Sequence, residues 1–259
     1  MGMSARRYGN SFSLGGGGIT RAIKTLLIVM TGVFILQTLA AMIGGQGAEI
    51  WIDYWFGLVP LGVVRGLRIW QPFTYIFLHG GLWHILINML VLWMFGTDLE
   101  RVWGARRFYN YFFICGIGAG LIDVAVNLIQ SVFGRELSRI PTIGASGAIF
   151  GVLIGCAVLF PDRQVWLIPF PVTLSMRVYV AIMVAIEFFM TLSAPGDTVA
   201  HLCHLGGALI GYLYLRRGSF FFTMRNSMSD WKRKRLKRKF DVYMRDHSDP
   251  PNRPSNWVN

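Results

Sequence analysis

A serine in a glycine-rich tetrapeptide is the strongest candidate for a nucleophile in this sequence of 259 residues. Ser146 stands in Gly144-Ala145-Ser146-Gly147, where the glycines let backbone approach closely and leave the hydroxyl uncrowded. We expect Ser146 to open a helix, because free N–H groups and the dipole at a helix start favour a developing anion. A helix-capping serine without a chemical role is the alternative interpretation.

A histidine in the last apolar segment is the candidate base for that serine. His204 precedes Gly207 and Gly211, two small residues four positions apart that let another helix pack very close. At about 100° per residue, His204 lies about 40° from the centre of this glycine stripe and His201 about 100°. An imidazole must come within about 2.6–3.2 Å of a hydroxyl to accept its proton. We therefore expect His204 to be the base, with His201 as a polar neighbour and second candidate.

Glycines at the same spacing follow the serine in its own segment. Gly147, Gly151 and Gly155 would allow the helices of Ser146 and His204 to pack nearly backbone to backbone. This second stripe lies about 140° from Ser146, so contact with a different helix is the alternative.

Two further polar side chains share one helix face in an earlier apolar segment. His84 and Asn88 are four residues apart, so both can donate a hydrogen bond toward one point. Polar residues inside membrane-spanning segments are costly and are candidates for function. A polar clamp between helices is the alternative interpretation of this pair.

The elements that must position these residues are strongly apolar. Hydrophobic residues make up 54% of the chain and charged residues 15%, against about a quarter charged in soluble domains. This composition excludes an ordinary soluble enzyme and a disordered chain. Because a bilayer crossing takes about 20 residues, the shorter apolar segments need shelter among other helices. The sequence predicts an all-α membrane protein with six transmembrane helices, at about residues 22–43, 84–96, 108–129, 146–160, 178–192 and 199–215.

Basic residues are unevenly distributed and predict the orientation of the chain. We divide it into a flexible leader (1–21), a membrane domain (22–215) and a basic tail (216–259). Six helices put both termini on one side, and placing that side in the cytoplasm puts most Lys and Arg residues inside. The second, fourth and sixth helices then start at the outer side and bring the polar residues above to one shallow depth. Aromatic-rich residues 44–83 predict an interfacial loop with short helices.

We expect neither a metal nor a cofactor. The three cysteines are an odd number within apolar segments, which argues against a disulfide framework and a zinc motif. The basic cluster Lys232–Lys239 in the tail predicts attraction of anionic lipid headgroups, which we favour over binding to nucleic acid. The sequence makes no prediction of oligomeric state.

Taken together and in this order, the motifs resemble those of the rhomboid family of intramembrane serine proteases. The resemblance covers about residues 22–215. The matching stretches are His79-Gly80-Gly81-Leu82-Trp83-His84-Ile85-Leu86-Ile87-Asn88, then Gly144-Ala145-Ser146-Gly147, then Ala200-His201-Leu202-Cys203-His204-Leu205-Gly206-Gly207 with Gly211.

The resemblance implies a Ser–His dyad of Ser146 and His204. It implies that His84 and Asn88 line the oxyanion hole together with the Ser146 N–H group, and that Phe150 supports the base. It also implies transmembrane protein substrates that gain access beside the fifth helix. We expect such substrates to carry helix-weakening Gly or Pro residues near the cut, because a helical carbonyl is hydrogen-bonded and shielded. The compact six-helix plan favours a prokaryotic cell membrane.

Acidic residues do not suggest a third catalytic member. Asp197 lies seven residues before His204, and we interpret Asp123 and Glu187 as hydrogen-bonding groups that face the bundle. No carboxylate is obviously placed to orient the base, so we expect a dyad instead of a triad.

Two other functions are consistent with parts of the pattern. A catalytically silent relative would bind transmembrane helices without cutting them, although Ser146 and His204 are both present. A transporter or metal site would use the histidines but lacks an acidic or thiol partner at ligand spacing. The histidines concerned are His79, His84, His201 and His204.

Overall fold

The computed structural model describes residues 18–167, 172–193 and 201–217. The predicted leader before residue 18, Asp197, and the predicted tail after residue 217 with its basic cluster lie outside the described residues. The contacts between residues divide the chain into two units, Met1–Tyr214 and Leu215–Asn259. Every side-chain contact given below lies within the first of these units.

The first helical stretch consists of two helices joined at a kink, and the first of them ends close to the end of the predicted apolar segment. Helix α1 (Arg21–Phe56) bends at Gly45, which has φ 65°, a conformation that glycine adopts without a steric penalty. Because Gly45 is not helical, the residues after it form a separate short helix, which lies in the segment predicted to be a loop with short helices. The rest of the predicted loop does contain short helices: α2 (Pro60–Val64), α3 (Gln71–Thr74) and a 3₁₀ turn (Tyr75–Phe77).

The middle of the chain forms a helical hairpin whose two arms are long and apolar. Helix α4 (Leu82–Val91) continues through a π-helical turn (Leu92–Gly96) into α5 (Thr97–Trp103). Gly104, with φ 77°, makes the sharp turn into α6 (Ala105–Val132).

The last part of the described chain holds three helices and a small hairpin. In order these are α7 (Ser146–Leu159), β1 (Gln164–Leu167), β2 (Val172–Ser175), α8 (Met176–Ser193) and α9, which comprises residues 201–217. The strands are antiparallel and pair Gln164 with Ser175 and Leu167 with Val172. This hairpin corrects the all-α prediction, because strands of four residues are too short to register as apolar segments.

The structure is that of a mostly helical membrane protein. Among the described residues, four helical stretches are long and apolar enough to cross a bilayer, and α7 is apolar but shorter. The four are Arg21–Phe56, Leu82–Trp103, Ala105–Val132 and Met176–Ser193. Eight of the 14 residues of α7 are buried, so neighbouring helices supply the shelter that its short length requires.

Glycines bring α7 and α9 into backbone contact. A Cβ atom added at Gly207 would lie 1.8 Å from the carbonyl oxygen of Gly147. A Cβ at Gly211 would lie 3.0 Å from the Cα of Gly151. Both alternatives for the α7 stripe therefore occur together: Gly147 and Gly151 approach the backbone of α9, and Cβ atoms added there would lie nearest to Ala119 (2.9 Å) and Cys115 (2.5 Å) of α6.

The carboxylate of Glu100 in α5 closes the start of α1. It accepts hydrogen bonds from the backbone N–H groups of Ala22 (2.8 Å) and Ile23 (3.0 Å), and from the hydroxyl of Thr20 (2.5 Å). The first N–H groups of a helix have no partner within it, and an anion there is favoured by the helix dipole. Glu100 thus fixes α1 to the end of the α4–α5 arm.

Gln71 organises the loop between α1 and α4, at the position where the resemblance would place an arginine. The side chain is fully buried. It accepts a hydrogen bond from the Val59 N–H group (3.1 Å) and donates one to the carbonyl oxygen of Tyr54 (3.0 Å). Arg68 donates to the same carbonyl at 2.9 Å, and its guanidinium lies 4.1 Å from the ring centres of Tyr54 and Trp55. The Gln71 amide and the Arg68 guanidinium therefore both bind the Tyr54 carbonyl oxygen and stabilise this loop.

Candidate active site

The turn before α7 presents Ser146 at the first position of the helix. Gly144 has φ 127°, and a Cβ atom there would lie 2.7 Å from Nε2 of His84. Glycine is therefore required at this position both for the backbone conformation and for space. The Gly144 N–H group donates to the carbonyl oxygen of Tyr75 (2.9 Å), which ties the turn to the loop before α4.

Ser146 and His204 meet across the contact between α7 and α9. The serine Oγ lies 2.7 Å from Nε2 of His204, inside the range of about 2.6–3.2 Å that proton transfer requires. Phe150, one turn along α7 from the serine, stacks on the imidazole with ring centres 4.8 Å apart and planes 10° from parallel. The ring of His204 is thus held by an aromatic face and directed at the hydroxyl.

The other ring nitrogen of His204 faces a carboxylate. Oε2 of Glu187, in α8, lies 3.0 Å from Nδ1 of His204 and 2.6 Å from Nδ1 of His201. The contact with His201 is a hydrogen bond, whereas the contact with His204 is close but not aligned with the N–H direction. The expectation that no carboxylate faces the base is therefore wrong.

A signal for Glu187 was present in the sequence, although we did not use it. An acidic residue in an apolar helix needs a partner, and two histidines three residues apart in the next segment are suitable ones. What the sequence does not contain is the rotation of α8 about its axis, which decides whether Glu187 faces them. All three side chains are partly accessible, with exposed fractions of 16% for Glu187 and 18% for each histidine.

His84 and Asn88 occupy the face of α4 that turns toward this region. The ring of His84 lies against Gly144, and its Nδ1 accepts a long hydrogen bond from the Gly80 N–H group (3.4 Å). Asn88 is 6% exposed, and its side-chain nitrogen is buried without a hydrogen-bond partner among the described residues. Buried donors without partners are rare in folded proteins, and each calls for an explanation.

His79 and Asp123 have hydrogen-bond partners other than the serine, and the His79 ring lies 5.1 Å from that of His84. The His79 N–H group donates to the side-chain oxygen of Gln37 (3.1 Å), and its Nδ1 lies 3.2 Å from the carbonyl oxygen of Phe77. Asp123 is fully buried and accepts a hydrogen bond from Asn127 of its own helix (3.1 Å). Both residues are held by local contacts within the bundle.

One group of side chains among the described residues could hold a metal ion. The donor atoms of Glu187, His201 and His204 lie within 4.8 Å of one another. Zinc with bonds of about 2.0–2.1 Å keeps tetrahedral ligand atoms about 3.3 Å apart, whereas the two carboxylate contacts here are 2.6 and 3.0 Å. These shorter distances fit direct hydrogen bonding between the side chains better than chelation.

Comparison with known proteins shows to which family the chain belongs. The family model of the Rhomboid domain matches residues 66–219. The chain belongs to the rhomboid family. Members of the rhomboid family are serine proteases, and the serine, the histidine and the oxyanion-hole candidates His84 and Asn88 all lie within the matched range.

Relatives of this rhomboid are found in distant organisms. Rhomboid protein 1, mitochondrial, of Saccharomyces cerevisiae is 34% identical over 148 residues, which cover 53% of this chain and 38% of that protein. RHOMBOID-like protein 1 of Arabidopsis thaliana is 31% identical over 188 residues, 70% of this chain and 44% of the relative. Rhomboid protease GluP of Bacillus subtilis is 31% identical over 158 residues, 61% and 27% of the two chains. The chain thus spans less than half the length of these relatives.

Proposed function

We propose that this protein is an intramembrane serine protease that hydrolyses peptide bonds in or near transmembrane segments of other membrane proteins. The contact of 2.7 Å between Ser146 Oγ and His204 Nε2 carries this proposal. Nucleophile and base lie on different helices that meet through glycines, so the packing of these helices brings the two side chains together. Membership of a family of serine proteases supports the same function.

In the proposed reaction, Ser146 Oγ attacks the carbonyl carbon of the scissile peptide while His204 Nε2 takes the hydroxyl proton. The tetrahedral intermediate collapses when the imidazolium gives that proton to the leaving amine, which leaves an acyl group on Ser146. His204 next deprotonates a water molecule that attacks the acyl carbon. Collapse of the second intermediate releases the new carboxyl end and returns the proton to the serine.

The oxyanion of each intermediate needs donors that are in place beforehand. We assign this role to the Ser146 N–H group, His84 and Asn88. The helix start at Ser146 leaves its N–H group without an intrahelical partner. The buried Asn88 nitrogen also lacks a partner among the described residues, which a donor reserved for the reaction would explain.

For the membrane arrangement we propose six crossing helices: α1, the α4–α5 arm, α6, α7, α8 and α9. Both termini would lie in the cytoplasm, so that α4, α7 and α9 start at the outer side. The protease domain would comprise residues 22–215, with a leader before it and a basic, lipid-attracting tail after it. A prokaryotic cell membrane remains the proposed location.

Substrates would be transmembrane proteins with a weakened helix near the outer membrane surface, reaching the site beside α8. Only Met176 and Val180 of this helix are buried among the described residues. Few packing contacts would have to break when α8 moves, which supports α8 as the movable helix.

Cleavage of a single-span reporter by the purified protein in detergent micelles tests this function. The reporter carries Gly and Pro near the outer end of its span. Wild type should cleave it and bind a fluorophosphonate at Ser146, whereas Ser146→Ala should do neither. Ser131→Ala is the matched control, because that hydroxyl bonds only to its own helix at Leu128, and it should behave as wild type. Absence of both cleavage and labelling in wild type would favour the catalytically silent helix binder.

A further inference from the structure

Glu187 places a carboxylate on the far side of the candidate base. Its Oε2 atom lies between the Nδ1 atoms of His201 and His204, at 2.6 and 3.0 Å. On its opposite side, the His204 ring directs Nε2 at the serine. Carboxylate, imidazole and hydroxyl therefore form one continuous row across α8, α9 and α7.

We propose that Glu187 is a positioning residue that makes His204 a base: its carboxylate keeps the neutral ring protonated at Nδ1 and stabilises the imidazolium formed when Nε2 takes the Ser146 proton. This inference rests on the proposed protease function and replaces the expected dyad with a row of three. The ion-pair contacts of its Oε2 atom are with the two histidines, so in this proposal Glu187 acts through His204.

The tautomer of the His204 ring gives the first reason for this role of Glu187. To accept a proton from Ser146, Nε2 must carry none, so the single proton of the neutral ring must be on Nδ1. An ionised carboxylate only accepts hydrogen bonds, which makes Glu187 a suitable neighbour for an N–H group and an unsuitable one for a bare nitrogen. A carboxylate at Nδ1 therefore selects the tautomer that the reaction requires.

The charge of the reacting ring gives the second reason. After proton transfer, His204 is a cation in a partly buried site, where opposite charges interact more strongly than in water. The carboxylate is already within 3.0 Å of Nδ1. In this proposal, the ring turns so that its N–H bond points at Oε2, and the contact strengthens when charge develops.

His201 has a separate part in this arrangement. Its Nδ1 donates to the same carboxylate oxygen at 2.6 Å and thereby links α8 to α9. A competing explanation follows from this contact: Glu187 would serve only to tie the two helices together through His201. The two explanations differ in which substitution harms catalysis.

Four variants in the reporter assay separate them. Glu187→Gln keeps the size of the side chain but removes the charge, and its NH₂ group can donate to Nδ1 and shift the ring proton to Nε2. We expect kcat to fall about 10- to 100-fold with KM within twofold, below the roughly 10⁴-fold cost known when a carboxylate partner is lost from a catalytic triad. Glu187→Asp should recover part of the loss, and His201→Ala should stay within threefold of wild type. Asp123→Asn, which neutralises a buried carboxylate that bonds to Asn127 of its own helix, is the matched control and should also stay within threefold.

If Glu187 only ties α8 to α9 through His201, the activities of the variants should rank differently. Equal losses in Glu187→Gln and His201→Ala, accompanied by equal drops in the thermal unfolding midpoint, would overturn the proposal. Full activity of Glu187→Gln would overturn it as well. Loss of wild-type activity in EDTA would assign the three side chains to a required metal and have the same consequence.

A measurement without substrate keeps this inference separate from the protease function. With ¹⁵N-labelled histidine rings, the nitrogen shifts of His204 should report a proton on Nδ1 in wild type and a shift toward Nε2 in Glu187→Gln. If wild type cleaves nothing but shows this tautomer change, the protease function fails and the positioning role stands. If wild type cleaves and the tautomer does not change, the positioning role fails alone.

Discussion

A methyl group at Gly207 should separate the nucleophile from its base. In Gly207→Ala the new Cβ would lie 1.8 Å from the carbonyl oxygen of Gly147. The obstacle is backbone of α7, which cannot rotate away as a side chain can. Helix α9 must therefore move outward, or the start of α7 must unwind.

The size of the movement follows from the distances. Cβ atoms essentially never approach other atoms below 3.0 Å, so relief from 1.8 Å requires an opening of about 1.2 Å. Added to the 2.7 Å between Ser146 Oγ and His204 Nε2, this gives a separation of up to about 3.9 Å, beyond the limit of about 3.2 Å for proton transfer. A misplacement of about 1 Å can cost about 100-fold in rate, and we expect that loss in kcat/KM. Overpacking should also lower the free energy of unfolding by about 1–3 kcal/mol.

The assay compares reporter cleavage and thermal unfolding in the same micelles. Gly32→Ala is the matched control, because no atom lies within 4 Å of the position its Cβ would take. It should retain wild-type activity and gain up to about 1 kcal/mol in stability, since alanine is favoured over glycine within a helix. Gly211→Ala, whose Cβ would lie 2.7 Å from the Tyr111 hydroxyl oxygen and 3.0 Å from the Gly151 Cα, should fall between the two. Activity of Gly207→Ala within threefold of wild type would refute the reasoning, because the backbone contact would then not be what sets the distance between Ser146 and His204.

Two other substitutions test separate parts of the structure. Asn88→Ala removes the unpartnered buried amide assigned to the oxyanion hole, and should lower kcat by about 100-fold or more with little change in KM, the usual cost of one oxyanion donor; retention of a third of wild-type kcat would contradict that role. Glu100→Gln removes the negative charge that receives the first N–H groups of α1. It should lower the free energy of unfolding by about 1–2 kcal/mol, as expected for charge-assisted hydrogen bonds at a helix start, while kcat stays near wild type. An unchanged unfolding midpoint in Glu100→Gln would show that the cap contributes nothing.

Local sequence was sufficient for the helices and for the nomination of reacting residues. Each of the six apolar segments corresponds to a helix, except that α7 ends one residue earlier than predicted and that residues 199 and 200 lie outside the described residues. Length and hydropathy are properties of consecutive residues. Glycine spacing also predicted that the helices of Ser146 and His204 can pack closely, since residues four apart share one helix face. It left open whether the stripe on α7 contacts a different helix, and the structure shows that the same glycines also face α6. Ser146, His204, His84 and Asn88 were nominated by residue type and position alone.

Features that depend on several segments at once were missed or misread. The hairpin of β1 and β2 was passed over because its strands are short. Gln71 looked like a departure from a pattern, yet its amide, together with Arg68, holds the carbonyl of Tyr54.

The amino-acid sequence alone therefore determined an apolar helical chain, its glycine contact faces and the residues able to act as nucleophile and base. Only the tertiary structure decided that Glu187 stands 3.0 Å from the far nitrogen of His204. The periodicity of a helix specifies which residues share its face but not how that helix is rotated against its neighbours. That rotation is set by the packing of the whole bundle, and it places Glu187, the acidic residue of α8, beside the base.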